Sequence, residues 1–346
     1  MKILYAVQGT GNGHITRAIE IIPYLQKKGE VDILVSGIQS DIELPFEVKY
    51  RFKGLSFIFG KKGGVDFWKT FVKMNSMNLL KEIKKINLNK YDLIISDFEP
   101  VSCWAAIKAK KVCIGLSNQV NTLHPLAPKP KKQDIIGKLV LQNYAPTTYN
   151  YGFHFKPLDG TVFTPIIRKE VRQLVPTNKG HYTVYLPSYD DKQIIKRLEK
   201  LKMVNWQVFS KHNKKEIRLE NITIVPINSE LFLKSIASCK GILCNAGFGT
   251  ASEALFLKKK LMVIPMKKQY EQFCNAEMLK EMGVPVIKKL NDSNLPKIKE
   301  WLDNDTIVAV DYQDTTEAII DLIIENHSYT KKTDTNFKSN NYNLFQ

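Results

Sequence analysis

Asn245-Ala246-Gly247-Phe248-Gly249-Thr250-Ala251-Ser252-Glu253-Ala254 follows a short apolar run, Gly241-Ile242-Leu243-Cys244, and precedes a helical pattern through Leu257. The apolar run reads as a buried parallel strand. Strand, glycine turn and helix start together make an anion site. Glycine lets the backbone approach a ligand closely, and the first helical N–H groups are unpaired and carry partial positive charge. Thr250 adds a hydroxyl suited to a phosphate oxygen. Glu253, inside the first turns, offers a carboxylate that can accept from two ribose hydroxyls. A purely structural reading has Thr250 and Glu253 as helix caps.

The next segment favours the functional reading. Lys260 to Pro265 is a second buried strand, and it leads to Tyr270-Glu271-Gln272-Phe273-Cys274-Asn275-Ala276. A second polar cluster therefore lies at the same carboxyl edge of the sheet, where open α/β sheets bind ligands. The two loops supply phosphate donors and then a Glu271–Gln272 pair suited to sugar hydroxyls.

The amino terminus repeats the plan. Lys2 to Val7 is a short strand, Gln8 to Arg17 a polar glycine loop, Ile15 to Lys28 an amphipathic helix, and Val31 to Ser36 the next strand. Gly9, Gly11 and His14 stand where a dinucleotide fingerprint places its glycines, but histidine replaces the third. With no acidic residue ending the second strand, a nicotinamide site is excluded. Gly11, Asn12 and Gly13 form a glycine loop facing the cleft. His14, at a helix start on the strand's carboxyl edge, is placed to meet a substrate. An imidazole can take the proton of a sugar hydroxyl when a carboxylate supports it. The strand Tyr91 to Ser96 delivers Asp97 to the same edge, which makes Asp97 the candidate partner. The alternative is a His14 that only caps its helix.

A fresh α/β run starts at Tyr182, after a boundary near 155–180. It contains strands at 206–210 and 222–226, a helix near 230–238, and the two loops above. Ile307 to Val310 is expected to be a last strand and Thr315 to Glu325 a final helix. The polar, Lys/Asn/Thr-rich chain beyond His327 has the composition of a disordered tail. Residues 51–75 mix basic and aromatic side chains (Phe52, Phe57, Phe59, Lys61, Lys62, Phe67, Trp68, Phe71). They suit either a membrane- or acceptor-facing element or an ordinary core helix. Leu126 to Gln133 is a basic, proline-broken loop.

With 346 residues the chain is long enough for two cores, and no run approaches the ~18–20 apolar residues of a membrane span. The start goes directly into a strand and does not resemble a signal peptide. Cys103, Cys113, Cys239, Cys244 and Cys274 show no metal spacing and read as reduced core residues of a cytoplasmic protein. The formal charge of +17 is an excess of lysine, since only Arg17, Arg51, Arg168, Arg172, Arg197 and Arg218 are arginines. It suits an anionic partner such as a nucleotide or an anionic membrane surface. Nucleic acid is the poorer fit, because arginine is the preferred phosphate and base fork.

With both glycine edges identified, the sequence resembles the GT-B glycosyltransferases. Within them it is similar to the group holding the lipid II-forming N-acetylglucosaminyl transferase, other glycolipid-forming transferases and the UDP-glucuronosyltransferases. It is most similar to a microbial branch with Gly-x-Gly-His-x-x-Arg near the start and Asn-Ala-Gly-Phe-x-Thr-x-Ser-Glu-Ala later. The resemblance covers nearly all of residues 1–327. It implies two Rossmann-like α/β domains with parallel sheets facing a cleft. Residues 1–168 would bind acceptor and 169–327 the nucleotide sugar, with the last helix packing back on the first domain and 328–346 left as the tail. It implies donor contacts from Ser188, Ile227, Asn245, Gly247, Phe248, Gly249, Thr250, Glu253, Glu271 and Gln272, and a base at His14. Lys267-Lys268 depart from the glycine-containing turn expected before the Glu-Gln pair.

The expected activity is an inverting transfer from a nucleotide sugar, a UDP-sugar by the resemblance, to a hydroxyl acceptor of lipid-linked or cell-envelope type. No Asp-x-Asp motif occurs, so neither metal nor cofactor is expected. A cytoplasmic enzyme, peripheral at the inner face of the cell membrane, fits the charge. Two alternatives share these residues: a UDP-sugar 2-epimerase, and a non-catalytic nucleotide-sugar- or nucleic-acid-binding protein.

Overall fold

The computed structural model describes residues 1–37, 42–55, 76–131 and 134–328. Most of the aromatic–basic stretch, residues 56–75, and the tail from 329 lie outside the described residues. Strands β1 (Lys2–Gln8), β2 (Glu30–Ser36), β3 (Tyr50–Phe52), β4 (Leu93–Asp97), β5 (Ile114–Ser117), β6 (Tyr149–Phe153) and β7 (Val162–Phe163) form one parallel sheet. Its spatial order is β3-β2-β1-β4-β5-β6-β7. A second sheet holds β8 (Tyr182–Tyr185), β9 (Trp206–Ser210), β10 (Ile217–Arg218), β11 (Ile222–Pro226), β12 (Gly241–Asn245) and β13 (Lys260–Ile264). Its order is β10-β11-β9-β8-β12-β13, parallel except for β10.

β1 and β4 are buried nearly throughout, as strands sandwiched between helical layers must be. In each sheet the chain first winds one way and then restarts on the other side of its first strand. The reversal falls between β1 and β4 in the first sheet and between β8 and β12 in the second. Loops at such a point diverge and leave a crevice at the carboxyl ends. Val7 pairs in register with Asp97, so Asp97 ends beside the turn that carries His14.

The first helix spans Asn12–Lys28, starting before the expected Ile15, because Gly11 takes φ 91 and lets the chain turn directly off β1. Its face of Ile15, Ala18, Ile21, Ile22 and Leu25 is buried against β1 and β2. The helix Pro100–Ala109 is fixed by Glu99, whose carboxylate accepts from the amides of Val101 at 2.8 Å and Ser102 at 2.6 Å.

The two units are tied by side chains as well as by chain. Tyr270 and Cys274 of the helix Tyr270–Glu281 are buried with Leu141 and Tyr144 of the first unit. Phe248 packs at a tilt on Phe155, with ring centroids 5.1 Å apart. Ile307–Val310 is not a strand: Val308 and Val310 pack on the second core, but the segment has no ladder partner because it carries the chain back to the first unit. There Tyr312 donates to the carbonyl of Phe155 at 2.9 Å. The final helix, Thr316–His327, then buries Ile319, Ile320 and Ile323 against the first helix's core, with Lys28 paired to Asp321 at 2.6 Å.

Candidate active site

His14 lies three residues into its helix, and Gly11 at the cap position has no side-chain capping bond. The imidazole points inward instead: its Nδ1 is 2.8 Å from Asp97 Oδ1. One helical turn on, Arg17 reaches the same carboxylate with Nε to Oδ2 at 2.8 Å and Nη2 to Oδ1 at 2.5 Å. Spacing of three residues on a helix puts His14 and Arg17 on one face, which is why one carboxylate serves both. Arg17 Nη1 also donates to Asn118 Oδ1 at 2.8 Å, and the guanidinium lies 5.6 Å from the Phe153 ring centre. Burial alone would raise the pKa of Asp97, but the Arg17 guanidinium and His14 hold its carboxyl below the usual carboxylate range. Burial pulls Arg17 down, and Asp97 more than offsets it, so the charge pair persists.

Asn118 and Gln119 follow β5 and close the crevice from the first unit's side, reaching Glu271 of the second. Asn118 Nδ2 donates to Glu271 Oε1 at 2.8 Å and Gln119 Nε2 to Glu271 Oε2 at 3.1 Å. Gln119 Nε2 also lies 3.4 Å from His14 Nε2. The carboxylate of Asp97 can only accept, which assigns the proton to Nδ1 even though Arg17 Nη2 also lies 3.1 Å from that nitrogen; the Gln119 amide nitrogen can only donate, which leaves the lone pair on Nε2. Phe98 backs the imidazole, 6.4 Å between ring centres and 8° from parallel, and holds its own backbone at φ 55. Burial pushes the Glu271 carboxyl up, against the opposing pull of His14 and the Gln119 amide.

In the second sheet, Ser188 after β8 donates to Asn245 Oδ1 at 3.0 Å, across the reversal point. Asn245 Nδ2 donates to the Ile264 carbonyl at 2.8 Å, and Asn275 Nδ2 to that of Ala246 at 3.1 Å, which shapes the turn. Helix Phe248–Phe256 starts from Gly247 with no capping side chain, so neither Thr250 nor Glu253 acts as a cap. Gly249 is exposed with nothing within 4 Å of where a Cβ would be, leaving the first amides open. Gly11 and Gly13 are open in the same way. Gln272 accepts from the Met266 amide at 2.9 Å, and its Nε2 lies 3.9 Å from a Cβ built on Gly247. The Glu271–Gln272 pair and the glycine turn are therefore neighbours.

Glu253 is buried and held by Arg168, Nε to Oε1 at 2.6 Å and Nη2 to Oε2 at 2.9 Å. Ile227 is exposed, and its amide is already spent on the Ser210 carbonyl at 2.9 Å. Phe248 serves packing through its ring and the turn through its backbone. Lys268 adopts φ 59, so the glycine-like turn expected before Glu271 is present but filled by lysine.

Four site residues carried no assigned role in the sequence reading. Arg17 had a local signal, its position one turn after His14. Asn118 and Gln119 had a weaker one, as polar residues ending a strand. Arg168 had none.

The family model described as Glycosyl transferase family 1 matches residues 1–305. No curated protein matches the sequence. Among solved structures the chain is similar to the S. aureus MnaA–UDP complex, with 14% identity, 96% of this chain and 99% of that chain covered, and a TM-score of 0.61. Arabidopsis thaliana UGT89C1 with UDP gives 12% identity, 94% of each chain and 0.57. Acinetobacter baumannii MurG gives 15% identity, 94% of this chain, 99% of that chain and 0.56. At such identities the likeness is one of fold, and that fold is GT-B.

Proposed function

The chain belongs to glycosyl transferase family 1, and on that premise we propose an inverting transfer of a sugar from a UDP-sugar to a hydroxyl acceptor. The observation that carries the proposal is the His14 imidazole, whose Nδ1 meets Asp97 and whose Nε2 is joined to Glu271 of the second unit through the Gln119 amide. The acceptor hydroxyl gives its proton to Nε2 while its oxygen attacks the anomeric carbon. The bond to the diphosphate breaks on the opposite face, and UDP leaves with the electron pair. Asp97 stabilises the imidazolium, and Arg17 keeps Asp97 ionised and aligned. The open amides from Gly247 to Thr250 face the charge growing on the leaving group, a task for fixed dipoles that calls for neither metal nor cofactor. Glu271 and Gln272 take the sugar hydroxyls, while Ser188 and Asn245 line the phosphate side.

Glu253 is the residue proposed for ribose. Each of its oxygens gives one lone pair to Arg168 and keeps another, enough for two hydroxyls. Glu253→Ala should weaken UDP binding by roughly 1–3 kcal/mol, the worth of charge-assisted hydrogen bonds. Titration calorimetry on the folded variant checks it, and unchanged affinity removes Glu253 from the site.

A lipid-linked acceptor and a peripheral position at an anionic membrane are part of the same proposal. No helix among the described residues is long and apolar enough to cross a membrane. The helix Ile135–Tyr144 leaves Ile135 67% and Leu139 52% exposed, one turn apart, with Lys131 and Lys138 close in sequence. Apolar residues beside lysines suit an anionic lipid surface. Flotation with anionic but not neutral vesicles at low salt is expected; no difference between them contradicts it.

A further inference from the structure

We propose that Gln119 is a placeholder: its amide stands where the reacting hydroxyl must come, it yields only its Glu271 contact to the donor sugar, and it withdraws from His14 when the acceptor enters. The proposal rests on the reading of His14 as base and Glu271 as donor-sugar ligand. A hydroxyl that surrenders its proton to His14 must come within hydrogen-bond reach of Nε2. In the structure that place is taken by Gln119 Nε2, 3.4 Å from His14 Nε2 and 3.1 Å from Glu271 Oε2. One amide group thus imitates both an acceptor hydroxyl on the base and a sugar hydroxyl on the carboxylate.

Its neighbour is built differently. Asn118 is pinned at both ends, by Arg17 on its oxygen at 2.8 Å and by Glu271 on its nitrogen at 2.8 Å. Gln119 is held through its nitrogen alone. Its Oε1 is buried and has no hydrogen-bond partner among the described residues, a costly state for an amide oxygen. Turning the amide over would satisfy nothing, because Oε1 would then face the Glu271 carboxylate. Of the two amides, Gln119 is the one that gains by moving, since a substrate hydroxyl supplies the donor that Oε1 lacks.

The consequence is protection of the donor. With Gln119 seated, water cannot occupy the position from which it would attack the anomeric carbon and pass a proton to Nε2, releasing UDP and free sugar. Exclusion of water from a closed site suppresses that side reaction.

The test uses the full chain and two variants, Gln119→Ala and Gln119→Asn, the second kept because it preserves an amide but is too short to bridge. Diethyl pyrocarbonate reacts with an unshielded imidazole nitrogen, and peptide mass spectrometry reads its rate at His14 without substrate. Acceptor-free UDP release from UDP-glucose and UDP-N-acetylglucosamine is measured on the same proteins. The placeholder predicts severalfold faster modification of His14 in both variants and more acceptor-free UDP release relative to transfer. Equal modification rates in all three proteins overturn it, whatever the substrate. So does faster modification with unchanged acceptor-free release from an enzyme that transfers. Faster modification with no UDP release or transfer by any of the proteins leaves the placeholder standing and sinks the transferase reading.

Discussion

His14→Ala is expected to lower kcat by about 10²–10⁴-fold, the usual cost of losing a general base, while UDP binding survives. The donor contacts proposed here lie on the second sheet and do not include the imidazole. Asp97→Asn should cost less, because Nε2 keeps its lone pair and loses only the charge that stabilises the imidazolium. The double variant should be little worse than His14→Ala alone, since the two residues act as one unit. A merely structural His14 predicts the reverse pattern, a lower melting temperature and a modest change in rate. Its inward-facing Nδ1 and the absence of a capping bond already speak against that role. Turnover and melting temperature on the three variants check the expectation, and near-wild-type turnover in His14→Ala defeats it.

Arg17→Met should destabilise the fold by about 3–5 kcal/mol, the range for stripping one partner from a buried ion pair. Asp97 is wholly buried, and Arg17 makes two of its short contacts. Methionine fills most of the volume but leaves the buried carboxylate without its guanidinium, with the His14 Nδ1 contact remaining. Arg17→Met with Asp97→Asn should regain much of the loss, because the uncompensated charge is then gone. Urea denaturation of the wild type and the two variants measures both effects. A loss under about 1 kcal/mol in the single variant would reduce Arg17 to a surface-like ion pair.

Much of this was legible in the sequence because strand-turn-helix chemistry is local. The glycine turn at 247–249 and the Glu271–Gln272 pair both announce a sheet's carboxyl edge within a few residues. The pairing of His14 with Asp97 needed one further step, that both follow strands of one parallel sheet; the β1–β4 register supplies the contact. Arg168 with Glu253 joins residues 85 apart, and no periodicity carries such a partner preference. The bridge from Asn118 and Gln119 to Glu271 depends on how two units close on each other, which no single element encodes. Ile307–Val310 misled for a related reason: alternating burial makes a strand pattern, but a strand also needs an edge to pair with, and this segment leaves the sheet it crosses.

The most direct test of the account is incubation of the wild-type protein with a panel of UDP-sugars in the presence of a chelator, with and without lipid extract. UDP release and the configuration of the new glycosidic bond are followed by NMR. The account predicts acceptor-dependent UDP release from at least one donor and a product whose anomeric configuration is opposite to the donor's. UDP release without acceptor, accompanied by an epimerised free sugar, or retention of configuration in the product, would contradict it.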